Sequence, residues 1–144
     1  MFIDFETEDY DNLKNGQLKR MADFWQRRYL LKNAKRNGYN QVWCPVKERY
    51  YNENKMEASH FIDRSVMCTR YDKDNVWLIS KQSNTWDARE QVEGYKSLHH
   101  KEFEELLVKE IGEKNIKKLL AKSKSLTIFA KKDYIDKIKK FRDE

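Results

Sequence analysis

The sequence predicts a mixed α+β domain in which one amphipathic helix leads into a small β unit and then into several helices. Three observations predict it. Apolar residues recur every three to four positions from Leu18 to Tyr29. β-Branched and aromatic residues gather in the short runs QVWCPV, RYYNENKMEASHF and NVWLIS. The helical period then returns beyond Ser83. At 144 residues the chain has the length of one domain. Charged residues make up 38% and mean hydropathy is -1.03, yet 13% of the residues are aromatic, more core material than a disordered chain carries.

Taken in order, residues 1–15 form an acidic arm, with Asp4, Glu6, Glu8, Asp9 and Asp11 and no base before Asn12. The run NGQLKRMADFWQRRYLLKNAKRNGYN places Leu18, Met21, Trp25 and Tyr29 on one helical face and meets a stop signal at Asn37-Gly38. QVWCPV and RYYNENKMEASHF read as two strands of a hairpin around an Asn-rich turn, finishing near His60, and NVWLIS reads as a further strand. SNTWDAREQVEGYKSL turns helical. HKEFEELLVKEIG follows with Phe103, Leu106, Leu107 and Ile111, then EKNIKKLLAKSK with Ile116, Leu119 and Leu120. Gly112 is the expected break between those two helices. A terminal KKDYIDKIKKF sets Tyr134, Ile138 and Phe141 on one stripe. Residues 16–125 form the expected central domain and 126–144 a basic C-terminal helix.

The net charge is +6 and the pI about 9.2, unevenly spread. Between 113 and 142, eleven Lys or Arg face three acids. That asymmetry suits a polyanion, most simply nucleic acid, although a solvated helix face has the same composition. Only Cys44 and Cys68 are present, without a CxxC pair, an N-terminal apolar leader or an apolar run of membrane-spanning length. A reducing, cytoplasmic setting is expected, with no membrane partner.

Fourteen residues separate His60 from Asn75 and eight separate Asn75 from Asn84, in the order strand end, loop, strand, helix start. This is the spacing of an HNH, or ββα-metal, nuclease unit. Histidine at the end of the first strand can take a proton from water. Asn at the next strand can pin the loop and orient the imidazole, and a polar residue on the helix can help hold a divalent cation against the scissile phosphate. A surface histidine and a turn asparagine after YDKD are the plain alternative.

The wording of the segment, ASHFIDRS followed by TRYD and NVWLISKQSN, resembles the phage NinG family of recombination endonucleases over roughly residues 18–142. The correspondence runs through DFW at 23–25, Ala58, Ser59, His60, Phe61, Arg64, Arg70, Tyr71, Asp72, Asn75 and Asn84. The resemblance implies a small treble-clef-like ββα-metal (HNH-type) unit between an N-terminal helix and C-terminal helices. It also implies a structure-specific, metal-dependent DNA endonuclease acting on branched or partly single-stranded DNA, in the cytoplasm of a bacterial host if the chain is phage-encoded.

On this reading His60 is the general base, Asn75 its orienter and Arg64 a phosphate clamp, although an ion pair of Arg64 with Asp63 or Asp72 is an equal alternative. Asn84 is the main metal ligand, helped by Asp87 or Asp63, and oxygen ligands favour Mg²⁺ or Mn²⁺. Arg64, Arg70, Lys81, Lys117, Lys118, Lys122 and Lys124 would track the DNA backbone. A homodimer that pairs its cuts stays open. His99 and His100, adjacent on a helix, do not face one another and are explained as well by a helix start.

The chain departs from the family where two CxxC knuckles hold structural zinc. The first is CPVK, with Cys44 and Lys47; the second is SKQS, with Ser80 and Ser83. One thiolate, two hydroxyls and an ammonium make no zinc site, so no structural zinc is expected, and packing around Trp43, Trp77 and Trp86 is expected to replace it. Cys68 has no ligand role and reads as a small buried hydrophobe. Where many ββα-metal nucleases carry Asp before the histidine, this chain has Ser59. The rival reading is a noncatalytic DNA- or junction-binding protein that kept the fold. A weaker third is a protein-interaction module whose acidic arm mimics DNA.

Overall fold

The computed structural model describes residues 4–81 and 98–144, and it is a mixture of helices and small antiparallel sheets, the expected α+β class. Helix α1 spans Asn15–Lys32, strand β1 Val42–Cys44, β2 Arg49–Tyr51 and β3 Met56–His60. A single-turn helix α2 covers Met67–Arg70, strand β4 Val76–Ser80, helix α3 Leu98–Ser123 and helix α4 Lys131–Asp143. The segment predicted as the helix SNTWDAREQVEGYKSL lies outside the described residues up to Leu98. Among the described residues no helix is long and apolar enough to cross a membrane.

Helix α1 begins where the Lys14 amide donates to Gln17 Oε1 at 2.9 Å, closing the first turn. It ends at Lys32, earlier than Asn37-Gly38 suggested. Asn33 stops it by donating its side-chain amide to Tyr29 O. Asn37 instead builds the following turn, its Oδ1 accepting from the Tyr39 and Gln41 amides. Its turn chemistry was legible, but it serves the entry to β1.

Strand pairing also differs from expectation. β1 pairs with β2 around the turn at Pro45–Glu48, where Glu48 takes a left-handed φ of 53°. The Asn-rich stretch is a 3₁₀ turn over Glu53–Lys55, not the hairpin turn. The strand ending in His60 pairs instead with β4, Met56 opposite Ser80 and His60 opposite Val76. Three-residue strands carry no pattern long enough to name their partner.

Two apolar clusters hold these pieces. Leu31, Val42, Cys44, Met56, Leu78 and Ile79 meet Phe103, Leu106, Leu107, Ile116 and Leu119 of α3, so the sheets lie against that helix. Tyr10, Leu18, Met21, Ala22 and Tyr71 pack with Tyr134, Ile138 and Phe141 of α4. The predicted α4 stripe is therefore its buried face, docked on α1. The acidic arm is docked too, since Tyr10 is buried and Trp25 Nε1 donates to Phe5 O at 2.8 Å. Helix α3 kinks at Gly112, as expected, where φ 81° and ψ 158° suit only glycine.

Candidate active site

Residues 61–75 connect β3 to β4, and the ladder outlasts the strands, because the Phe61 amide donates to Asn75 O at 3.0 Å. Asn75 is fully buried. Its Oδ1 accepts from the Ile62 amide at 2.7 Å, and its Nδ2 donates to Ile62 O at 3.1 Å and to Thr69 O at 3.0 Å. One side chain thus ties Ile62, near the start of the loop, and Thr69, in α2, to the residue that precedes β4.

His60 is half-buried at the end of β3, with Nε2 2.9 Å from Arg70 O. A carbonyl oxygen only accepts, so Nε2 carries the proton and the Nδ1 lone pair is left for another partner. Burial holds the imidazole below its usual pKa. The Arg70 carbonyl opposes that shift, the Arg70 charge adds to it, Asp23 opposes it and Arg64 adds to it. Near pH 7 the ring is neutral and able to accept a proton. Asn75 reaches His60 through the loop: it holds Thr69 O, and the next carbonyl receives the imidazole.

Arg70 departs from its expected role as a DNA contact. It is 5% exposed, and its guanidinium is committed inside the protein. Nη2 and Nε donate to the two oxygens of Asp23 on α1, at 2.6 and 3.2 Å, while Nη1 donates to Arg64 O at 2.7 Å. A planar fork on a carboxylate has this geometry. Arg70 therefore fixes the backbone of Arg64 with its side chain and the imidazole of His60 with its carbonyl.

These groups line a cleft of about 580 Å³ between α1 and β3. Asp23, Gln26 and Arg27 come from α1, Glu57 to His60 from β3, and Asp63, Arg64 and Arg70 from the loop and α2. Arg64 is exposed. Asp63 is exposed as well, and the Ser65 backbone amide, at 2.8 Å from Oδ1, holds its carboxyl below the usual carboxylate range. Ser59 lines the cleft, and its buried Oγ makes no hydrogen bond among the described residues.

Asp63 can offer Oδ2 to a cation, whereas Asn84 and Asp87, the other expected ligands, lie outside the described residues. No group of three or more His, Cys, Asp or Glu gathers around one point among the described residues. The sequence reading missed Asp23, Gln26 and Arg27. The available signal was an acid at position 23 in a helix otherwise rich in Lys and Arg.

The remaining residues fall outside the cleft lining. Lys81, Lys117, Lys118 and Lys124 are exposed. Lys122 pairs with Asp72 at 2.7 Å; burial works against the Asp72 charge, but the Lys122 bond and the Asp74 amide outweigh it and lower its pKa. Cys68 is half-buried and donates Sγ–H to Lys122 O, rather than being the buried hydrophobe expected. His99 and His100 fall in the first turn of α3.

At the first knuckle position Cys44 is buried in the core and accepts a hydrogen bond from the Ser80 amide at 3.3 Å. Lys47 pairs with Glu102. Ser83 and Trp86 are outside the described residues. A buried thiol beside a serine and a paired lysine is a poor donor set for zinc. Comparison with protein-family models, with curated proteins and with solved structures finds no match for this chain.

Proposed function

We propose that the chain is a metal-dependent endonuclease of phage recombination that hydrolyses phosphodiester bonds in branched or partly single-stranded DNA, using an HNH-type site. The observation that carries this reading is the His60 tautomer: with Nε2–H spent on Arg70 O, a neutral imidazole keeps Nδ1 as its basic atom at the edge of a cleft.

His60 takes the proton of the attacking water through Nδ1, and Asn75 keeps the loop in the conformation that aims the ring. Arg64 grips a nonbridging phosphate oxygen and offsets the charge that grows in the transition state. Asn84 with Asp87 or Asp63 would hold a Mg²⁺ or Mn²⁺, which would supply Lewis-acid polarisation of the scissile phosphate. Lys81, Lys117, Lys118 and Lys124 hold the DNA backbone without reading bases.

The test is cleavage of labelled four-way junction, flap, D-loop and linear duplex DNA with Mg²⁺ or Mn²⁺. Wild type is expected to cut branched substrates, and His60→Ala to cut them roughly 10²- to 10⁴-fold more slowly while still binding them. Binding without cutting by wild type would replace this reading with that of a noncatalytic DNA-binding protein.

A further inference from the structure

Helices α3 and α4 turn their apolar stripes inward, through Ile116 and Leu119 on one and Tyr134, Ile138 and Phe141 on the other. The short segment joining them does the opposite. Leu126 is 94% exposed and Ile128 is 85% exposed; among the described residues only Tyr39 is a large hydrophobic side chain so fully in water. Thr127 and Phe129, which alternate with them, are half-buried.

The segment is also firmly seated. The Phe129 ring lies 5.9 Å from Tyr71 and 5.2 Å from Tyr134, and the Ala130 amide donates to Asp133 Oδ2 at 2.8 Å, capping α4. On the α3 side, Lys122 is tied to Asp72. Two aliphatic side chains are thus presented outward from a fixed base.

Charge decides the kind of partner. Lys124 stands two residues before Leu126 and Lys132 four residues after Ile128, both exposed, and Lys117 and Lys118 are exposed on the preceding helix. A second copy would bring the same lysines against them, which repels. An anionic membrane would be met by a broad apolar helix face, whereas α4 buries its stripe and α3 wholly or partly buries all but Val108 and Leu120 of its described large aliphatic side chains, each of those two 43% exposed. Two isolated aliphatic side chains framed by lysines match a nucleic acid whose backbone pairs with the ammonium groups and whose base steps admit an apolar wedge. The location agrees: Phe129 packs on Tyr71, the residue after Arg70, whose carbonyl holds His60.

We propose that the segment from Lys124 to Ala130 is a nucleic-acid wedge, in which Leu126 and Ile128 enter between bases at a helical discontinuity while the flanking lysines hold the phosphates. The proposal rests on the nucleic-acid part of the reading above and adds the surface that senses unstacked bases.

The experiment compares full-length wild type with Leu126→Ala/Ile128→Ala, both in EDTA so that binding is read without cutting. The probes are a four-way junction with 2-aminopurine at its branch, a linear duplex of the same arms, and phosphatidylserine/phosphatidylcholine vesicles. Wild type is expected to prefer the junction and to raise the 2-aminopurine fluorescence. The double variant should lose roughly tenfold or more on the junction, keep its duplex affinity and leave the fluorescence unchanged. Both positions are exposed, so the variant should melt with wild type.

Equal affinity of wild type for junction and duplex would overturn the proposal, as would a double variant that binds the junction like wild type. Vesicle binding that depends on Leu126 and Ile128, or a wild-type dimer that the double variant dissociates, would overturn it in favour of a membrane or a second copy. Failure of the nuclease reading has a separate signature: junction-selective binding with no cutting in Mg²⁺ or Mn²⁺ overturns the endonuclease and leaves the wedge standing.

Discussion

The Asn75 side chain closes a ring on the backbone of Ile62, accepting from its amide at 2.7 Å and donating to its carbonyl at 3.1 Å. The other amide proton goes to Thr69 O, so both donors of the fully buried Asn75 are used. Asn75→Ala strands these backbone groups in the interior. Asn75→Asp sets a carboxylate against two carbonyl oxygens without changing the shape. Each is expected to destabilise the protein by about 3 kcal/mol, read as a drop in denaturant midpoint at unchanged slope. A loss under about 0.5 kcal/mol in the Asp variant would mean that the loop is held by something else.

Asp23 and Arg70 set the electrostatics of the candidate base. Burial depresses the His60 pKa, the Arg70 charge adds to that, and the Asp23 charge opposes it. Removing the Asp23 charge should therefore lower the His60 pKa further. In an NMR titration of the imidazole, wild type should titrate below the ordinary value of about 6.5, and Asp23→Asn lower still. A His60 pKa that is unmoved or rises in Asp23→Asn would show that the ion pair does not reach the ring.

The same depression fixes a pH dependence of stability. Between the folded His60 pKa and about 6.5 the unfolded chain binds more protons than the folded one, so stability falls as pH drops through that window and levels off below it. His60→Gln should lack this part of the slope in melts taken from pH 7.5 to 5. For cleavage the sign agrees: the rate should climb with pH through the folded pKa of His60 and flatten above it. A rate that falls across that interval would assign the limb to another group.

Some of this was legible in the sequence for physical reasons that can be named. The α4 stripe of Tyr134, Ile138 and Phe141 and the break at Gly112 follow from helical period and from backbone freedom, both local properties. The His60 to Asn75 spacing was legible because one loop joins the two residues. Strand partners were not, since β1 and β2 are three residues each and the Asn-rich stretch imitates a hairpin turn. The Asp23–Arg70 pair was not legible either. It joins residues 47 apart, and an arginine near an expected DNA site looks alike whether it faces phosphate or a carboxylate behind it.

Cys44 and Ser80, two positions that the sequence suggested as lost zinc ligands, stand side by side, joined by a hydrogen bond from the Ser80 amide to the thiol. Were this contact a substitute for metal, chelation should leave the melting temperature unchanged while abolishing any cleavage. Cys44→Ala, which removes this acceptor and opens a small cavity in the core, should cost about 2 kcal/mol. A melting temperature that falls in EDTA and is restored by Zn²⁺ would show that the site takes metal after all.

The acidic arm offers the last contrast, between charge and packing. Glu8 reaches Arg142 at 3.4 Å but is 77% exposed, whereas Tyr10 is 7% exposed, packs among Leu18, Met21 and Phe141, and bonds through its hydroxyl to the same arginine. Exposed ion pairs contribute little and are screened by salt, while a buried ring contributes whatever the ionic strength. Glu8→Gln should therefore change stability by less than about 0.5 kcal/mol, and Tyr10→Ala should cost about 3 kcal/mol. The Tyr10→Ala penalty should be the same in low and high salt. If molar salt alone destabilised wild type as much as Tyr10→Ala does, the arm would be held by its charges and could peel away to compete with DNA. If it does not, the arm is part of the α1–α4 core and its carboxylates are only its outer face.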